Sequence, residues 1–350
     1  MSRIGRLLII ISTLAFTIVV GYIDVVTGLI PDLTVLYLVP IIAGTIFIGL
    51  SYGLIVAMIA AIAEFTSNVQ LGIGIDISLI TDAILHLLIF LLGVILTDRL
   101  LTQLRVITEF EQKRSYDIDL AKEIHGSVFT PFPAEYGDLT IGTKLAFARE
   151  LGGDYYHFSG LNDRLFFCIA DISGKGIAAA LFSALLHQNI IDALKHSDDL
   201  ADIVAVVNSR MHAALPDNMF ITLFCSLIRG EAISFINAGH EPPLLYSRQQ
   251  NSVKLLESRT TLPIGIQPDL RIEPEIEAFN SGDILLAVTD GVTESATFLD
   301  SPFKKLETLL RENSDASPQY IADIIYNRAN PDGLEQPSDD IIIACIKRQV

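Results

Sequence analysis

Residues 165–176 read LFFCIADISGKG. Six apolar residues end in Asp171, and a short segment containing Gly174 and Gly176 separates that carboxylate from helix-like spacing that begins near Ile177. An apolar run of this length, bounded by turn residues, reads as a strand. The acidic residue at its end projects into whatever cleft lies beyond the strand. The glycines free the backbone to turn sharply into a helix, whose N-terminus adds a mild positive field.

Working outward, short or alternating apolar runs recur at 139–148, 164–170, 219–228, 231–237, 243–246, 270–279, 284–289 and 341–347, bounded by Gly, Pro, Asn and Asp. These predict strands. Helical spacing covers 176–195, 199–214, 303–313 and 317–329. Strands, helices, a run of hairpin-linked strands and helices again predict α+β layers around antiparallel sheet rather than a doubly wound parallel sheet.

Three more acidic positions lie where Asp171 does, at strand termini. Asp154 follows Gly152-Gly153; Asp290 ends LLAVTD; Asp339 and Asp340 open the last strand. Each alone is accounted for by a turn or a cap, and Asp290-Gly291 is a common turn pair. Together they would repel one another and resist desolvation, so their convergence calls for cations. With no His or Cys at matching spacing, the donor set suits Mg²⁺ or Mn²⁺ rather than Zn²⁺.

The stretch 149–158, RELGGDYYHF, invites a different reading, because Gly-Gly-Asp before an aromatic is similar to the hairpin of a diguanylate cyclase. That hairpin needs an acidic residue directly after Asp154, where this chain has Tyr155, and it leaves Asp171, Asp290 and Asp339 unexplained.

The order RELGGDYY, IADISGKGIAAAL, MFITLF, INAGHEPPLL, LPIGI, GDILLAVTDGVTE and PSDDIII, over roughly residues 118–348, resembles the PPM-type (protein phosphatase 2C-like) metal-dependent Ser/Thr phosphatases of the SpoIIE-like, sigma-regulator branch. The resemblance implies an α-β-β-α sandwich of two antiparallel sheets, with two divalent cations, Mn or Mg, in a cleft between them. It implies metal ligands at Asp154, Asp171, the carbonyl of Ile172, Asp290 and Asp339, with Asp340 as the alternative to its neighbour. Asp171 and Asp290 are the implied catalytic pair. Two cations ~3.5–4 Å apart would activate a water for in-line attack on a phosphoryl group, with no covalent phospho-enzyme.

Arg149 and Lys175 are the nearby cations for phosphate binding; exposed, solvated charge is the alternative reading of both. Asn237 and His240 match the family pattern, as a turn packed below the site rather than a proton-transfer pair. The chain departs from the pattern at His157, where many relatives carry an acidic residue, and at DDIII in place of DDIT. His157 lies outside the metal set, so its expected effect is on cleft chemistry or partner fit.

The first hundred residues differ in kind. Hydrophobic residues make up 51 % of the chain, mean hydropathy is +0.47, and up to Asp98 there are only two basic and six acidic residues. Apolar runs at 7–23, 33–50, 51–63 and 77–97 predict four membrane spans, the middle pair turning at residues 49–53. Arg3 and Arg6 before them and Arg99, Arg105, Lys113 and Arg114 after them place both ends in the cytoplasm of a multi-pass protein of the plasma (inner) membrane. Among ionisable residues near the spans, Asp24 and Glu64 read as interfacial, whereas Asp82 and His86 share a helical face and suggest a sensing role. Residues 98–124 carry no Gly or Pro and read as a connecting helix, either pairing with its twin in a homodimer or packed on the following domain.

The expected domains are therefore a membrane unit at 1–98, a helical linker at 99–125 and a phosphatase domain at 126–350. A net charge of −17 without a Lys/Arg cluster excludes a nucleic-acid partner. Cys168, Cys225 and Cys345 lie in strand-like runs and read as buried and reduced. The resulting expectation is a membrane-anchored Ser/Thr phosphatase acting on a phosphorylated regulator of the anti-anti-sigma (STAS) type. The competing expectations are a catalytically silent membrane sensor that binds a partner and, more remotely, a diverged cyclase.

Overall fold

The computed structural model describes residues 3–27, 34–70, 77–129, 132–161, 163–258, 262–334 and 336–349. The chain divides into two compact units, Met1–Tyr116 and Asp117–Val350.

The first unit is helical: α1 (Arg3–Thr27), α2 (Thr34–Phe47), α3 (Leu50–Gln70) and the start of α4 (Ile77–Gly126). Leu33, where the second span was placed to begin, lies outside the described residues. The turn between α2 and α3 is tighter than the sequence suggested: Gly49 takes φ 124°, a left-handed value that glycine adopts freely, and α3 starts at the next residue. Val20, Tyr37, Ile41, Val56, Ala57, Ala60, Phe90 and Val94 form the interior. Leu8, Ile18, Ile55, Ile62, Leu88 and Leu92 are exposed, an apolar exterior that suits lipid. Among the described residues α1, α3 and α4 are long and apolar enough to cross a membrane, as is one helix of the second unit; α2, with 14 residues, is shorter. Asp82 and His86 share a helical face, yet the partner of His86 lies on another helix. Asp82 is exposed, and His86 Nδ1 lies 2.8 Å from the carboxylate of Glu64, which is buried. Neighbours on another helix, invisible to local spacing, decide this partner.

The second unit is layered. Among the described residues one sheet contains β1 (Glu135–Tyr136), β2 (Leu139–Ala146), β7 (Leu244–Ser247), β8 (Ser252–Leu255), β10 (Ile284–Val288) and β11 (Ile341–Arg348), ordered β1-β2-β11-β10-β7-β8. The other contains β3 (Tyr155–Leu161), β4 (Arg164–Ile172), β5 (Ile221–Arg229), β6 (Ala232–Ala238) and β9 (Glu275–Ala278), ordered β3-β4-β5-β6-β9. The strand pairs are antiparallel.

Strand β4 shows why both of its faces are apolar. Leu165, Phe167 and Ile169 pack between the sheets with Phe224, Phe235, Leu285 and Ile342. Phe166, Cys168 and Ala170 face the other way, under α5 (Ile177–His196) and α6 (Leu200–Ala214), against Leu186, Ile190 and Val204. On the far side α8 (Pro302–Glu312) and α9 (Pro318–Ala329) cover the first sheet through Leu306, Leu310, Ile321 and Ile325. The result is the α-β-β-α sandwich expected from the sequence. All three cysteines are free and buried.

Candidate metal centre

Each expected acidic residue stands where a strand begins or ends. Asp154 immediately precedes β3 and Asp171 lies near the end of β4, so the antiparallel pairing of Tyr155 with Ala170 brings the two together. In the other sheet Val288 at the end of β10 pairs with Ile343 near the start of β11, which places Asp290 beside Asp339 and Asp340. Asp290 opens the one-turn helix α7 (Asp290–Thr293), and Gly291 lets the chain pass close by: a Cβ there would lie 2.0 Å from the Asp340 carbonyl oxygen.

The electrostatics show the two edges meeting. Burial raises the pKa of Asp154 well above its usual value, and the nearby charges of Asp171, Asp340 and Asp290 push it further in the same direction. Asp154 is 2 % exposed, and its Oδ2 is buried without a hydrogen-bond partner. Asp171 is raised by burial and by Asp339 and Asp340, against a hydrogen bond from Asp154 that lowers it. Asp290 is pushed up to about 7 by burial, then by Asp171 and Asp339. These are negative charges held together with too few counter-charges.

The two adjacent aspartates differ. Asp340 accepts the Ala148 amide on Oδ1 at 2.8 Å and the Gly153 amide on Oδ2 at 2.9 Å, so both of its oxygens hold the 147–153 loop. Asp339 accepts from Lys175 Nζ at 2.7 Å on Oδ2 and from the Asp340 amide on Oδ1. Lys175 thus rests on a carboxylate, which raises its pKa, and Arg149 is exposed.

The glycines of RELGGDYYHF now have a reason. A Cβ on Gly152 would meet Phe147 at 2.0 Å and Asp340 Oδ2 at 2.5 Å, and one on Gly153 would meet the Ile172 carbonyl at 3.0 Å. Both are needed for close packing in a loop that leads into β3, and the segment is not the turn of a hairpin as the cyclase reading requires. After Asp171, Gly174 and Gly176 take φ 107° and 79°, and Ser173 is clamped to Phe220 by a pair of hydrogen bonds, Ser173 N to the Phe220 carbonyl at 3.0 Å and Phe220 N to Ser173 Oγ at 2.8 Å.

Two further residues support the site. Thr289, fully buried, accepts the Ile342 amide at 3.0 Å and donates to the Asp340 carbonyl at 3.4 Å, which places its hydroxyl next to Asp154 electrostatically; nothing in its sequence context marks it. His240 Nδ1 lies 3.0 Å from the hydroxyl of Thr222, the cross-strand partner of Asp171, while Asn237 binds the His240 backbone in a tight turn. Burial lowers the His240 pKa to about 4, so its neutral ring supports the site structurally, as expected. His157 corrects an expectation. Strand alternation points it away from the inter-sheet cleft and under α5, where its ring meets His187 at 5.2 Å and burial lowers its pKa to about 4.

Hard divalent cations fit the donor type here, because the donors are carboxylate oxygens, one carbonyl and an orphaned buried Oδ2. Among the described residues no three His, Cys, Asp or Glu side chains stand at the spacing of a finished ligand shell, so an ion would have to draw the carboxylates inward.

Residues 162–349 match the family model described as Stage II sporulation protein E (SpoIIE). The phosphoserine phosphatase RsbU of Bacillus subtilis is 28 % identical over 246 residues, covering 69 % of this chain and 72 % of that protein. The PP2C phosphatase domain of B. subtilis SpoIIE, solved with a fragment of its regulatory domain, superposes with a TM-score of 0.53 at 22 % identity, covering 60 % of this chain and 63 % of that one. The SiaA-PP2C domain of Pseudomonas aeruginosa gives 0.56 at 20 % identity, covering 68 % and 98 %. At these identities the structures establish the fold, which is that of PP2C.

Proposed function

The chain belongs to the SpoIIE family, and from that premise we propose that it is a membrane-anchored, divalent-cation-dependent protein Ser/Thr phosphatase acting on a phosphorylated regulatory protein. The observation that carries the reading is the meeting of Asp154, Asp171, Asp290 and Asp339 where the two sheets end, with mutual repulsion that raises the pKa values of the first three and that bound cations would relieve.

Asp154, Asp171, the Ile172 carbonyl, Asp290 and Asp339 would hold the cations; Asp340 is assigned to the loop that it already binds. Bound divalent cations supply positive charge to the phosphoryl oxygens and lower the pKa of water. The chain's own residues do the rest. Asp340 ties the loop before Asp154 to the start of β11 in the opposite sheet, and Thr289 holds that start through the Ile342 amide. The Ser173–Phe220 clamp sets the Asp171–Ile172 turn. Lys175 and Arg149 lie on the loops that flank the carboxylates and offer charge to a phosphate.

Kinship with RsbU, named as a phosphoserine phosphatase, supports phosphoserine or phosphothreonine as the substrate and a STAS-type regulator as its carrier. The spans at 1–98 would anchor the enzyme with its phosphatase domain, 126–350, in the cytoplasm, and the connector 99–125 would pair two copies. At the end of that connector His125 Nε2 lies 2.9 Å from Ser183 Oγ on α5, within hydrogen-bonding distance, and its ring packs on Phe147, the neighbour of Gly152. Movement of the helix would thereby reach the metal loop.

The experiment is hydrolysis of a phosphoserine peptide by the full chain in detergent, with Mn²⁺, with Mg²⁺ and with chelator, beside Asp171→Ala. Metal-dependent turnover that falls at least ~10²-fold in the variant is expected, since it removes a group from the reacting centre. Turnover indifferent to chelator, or preserved in Asp171→Ala, would end this reading.

A further inference from the structure

The helical unit holds a polar cluster that phosphate chemistry does not use. Glu64 on α3 is 6 % exposed, and its Oε1 accepts from His86 Nδ1 on α4 at 2.8 Å and from the Thr34 hydroxyl at the start of α2. One turn further along α2, Tyr37 is fully buried. Its hydroxyl has no hydrogen-bond partner, although both Glu64 and Asp24 of α1 are its electrostatic neighbours. Ser67 follows Glu64 by three residues on the same face of α3, is 1 % exposed, and its hydroxyl is also without a partner. The ring of Phe90, four residues after His86, lies 6.0 Å from that of Tyr37.

A structural clamp between helices explains the Glu64–His86 pair. It does not explain two buried idle hydroxyls beside it, each of which costs about 1–3 kcal/mol when left unsatisfied. In a bundle whose outer surface is apolar, such groups gather where a polar ligand is held.

We propose that this cluster binds a small primary ammonium ion. Charge favours a cation, because among the described residues the imidazole of His86 stands against two carboxylates, Glu64 and Asp24. Geometry favours N–H donors, because an ammonium needs several acceptors, and the Glu64 carboxylate, Tyr37 Oη and Ser67 Oγ supply them. The aromatic faces of Tyr37 and Phe90 add attraction for a cation. A transition metal is disfavoured, because among the described residues no three His, Cys, Asp or Glu side chains could hold one. Near-complete burial limits the head group to a few heavy atoms. Thr34 and Tyr37 open α2, and Ser67 stands three residues before the end of α3, so the site lies towards the end of the bundle opposite Arg3 and Arg6. The inference uses no step of the phosphatase reading.

The test is calorimetric titration of the full chain in lipid nanodiscs with methylammonium, tetramethylammonium and sodium chlorides at fixed ionic strength, alongside Glu64→Gln and Tyr37→Phe. Methylammonium should bind saturably and more tightly than tetramethylammonium, which has no N–H, or sodium. Glu64→Gln should weaken it at least tenfold and Tyr37→Phe several-fold. If Glu64→Gln does not fold, Tyr37→Phe decides the matter, since it deletes one unpartnered oxygen and leaves the packing intact. The absence of saturable methylammonium binding, equal binding of sodium, or an unchanged affinity in Tyr37→Phe would overturn the proposal.

Discussion

Asp340 binds two backbone amides of the 147–153 loop, whereas Asp339 holds only its neighbour's amide and a half-exposed lysine. Asp340→Ala should therefore cost about 2–4 kcal/mol of stability, since hydrogen bonds to a charged acceptor contribute about 1.5–3 each and do not simply add. Asp339→Ala should cost little, as exposed ion pairs are worth about 0–1 kcal/mol, yet should abolish most turnover. Urea melts and phosphopeptide hydrolysis on the two variants check this; a reversed pattern would make Asp340 the ligand. The same carboxylates fix a pH dependence. Asp290 is raised from 3.8 to about 7, so the metal-free folded state binds a proton that the unfolded chain has already released, and stability falls as pH rises through that window. Buried His157 and His240, both lowered to about 4, act in the opposite sense below their ordinary values. Asp290→Asn isolates the carboxylate. In chelator, the variant should gain stability relative to the parent as pH rises to about 7, and the difference should then level off.

At the scale of elements, α7 and the entry to β11 touch through Gly291, where an added Cβ would meet backbone at 2.0 Å. Gly291→Ala should destabilise the domain by about 1–3 kcal/mol, the usual range for overpacking, and slow turnover by shifting Asp290 from Asp339. A melt within error of the parent would show that the contact yields cheaply. Most strands and the helix starting at Ile177 were legible because period and turn residues are local signals. Strand β3 was not foreseen although YYHFSGL pairs with β4 along its whole length, and the run 270–279 shortened to Glu275–Ala278. Pairing across a sheet sets such limits, and a single sequence does not display it. The acidic set was legible by position, whereas the contrast between Asp339 and Asp340 rests on amides nearly two hundred residues away. The connector was expected to follow the last span as a separate piece, yet α4 runs unbroken through residue 98, because 77–126 contains no proline and its one interior glycine, Gly93, is tolerated.

At the scale of the whole molecule, one part of the chain is apolar and nearly uncharged and the other carries most of the net charge of −17, so they suit different solvents. Arg3 and Arg6 lie at one end of α1, and Arg99 and Arg105 follow the apolar part of α4. On the proposed membrane anchoring, the positive-inside bias would put both clusters on the cytoplasmic side and the end of α3 on the other. The free native cysteines are all buried, so an introduced thiol can report without background. Gln70→Cys and Glu111→Cys, both at exposed positions, should differ. In intact cells a membrane-impermeant maleimide should label the first, and it should reach the second only after permeabilisation. Equal labelling of the two before permeabilisation would place the phosphatase domain outside the compartment that holds phosphorylated regulators, and the proposed substrate would fall with the topology.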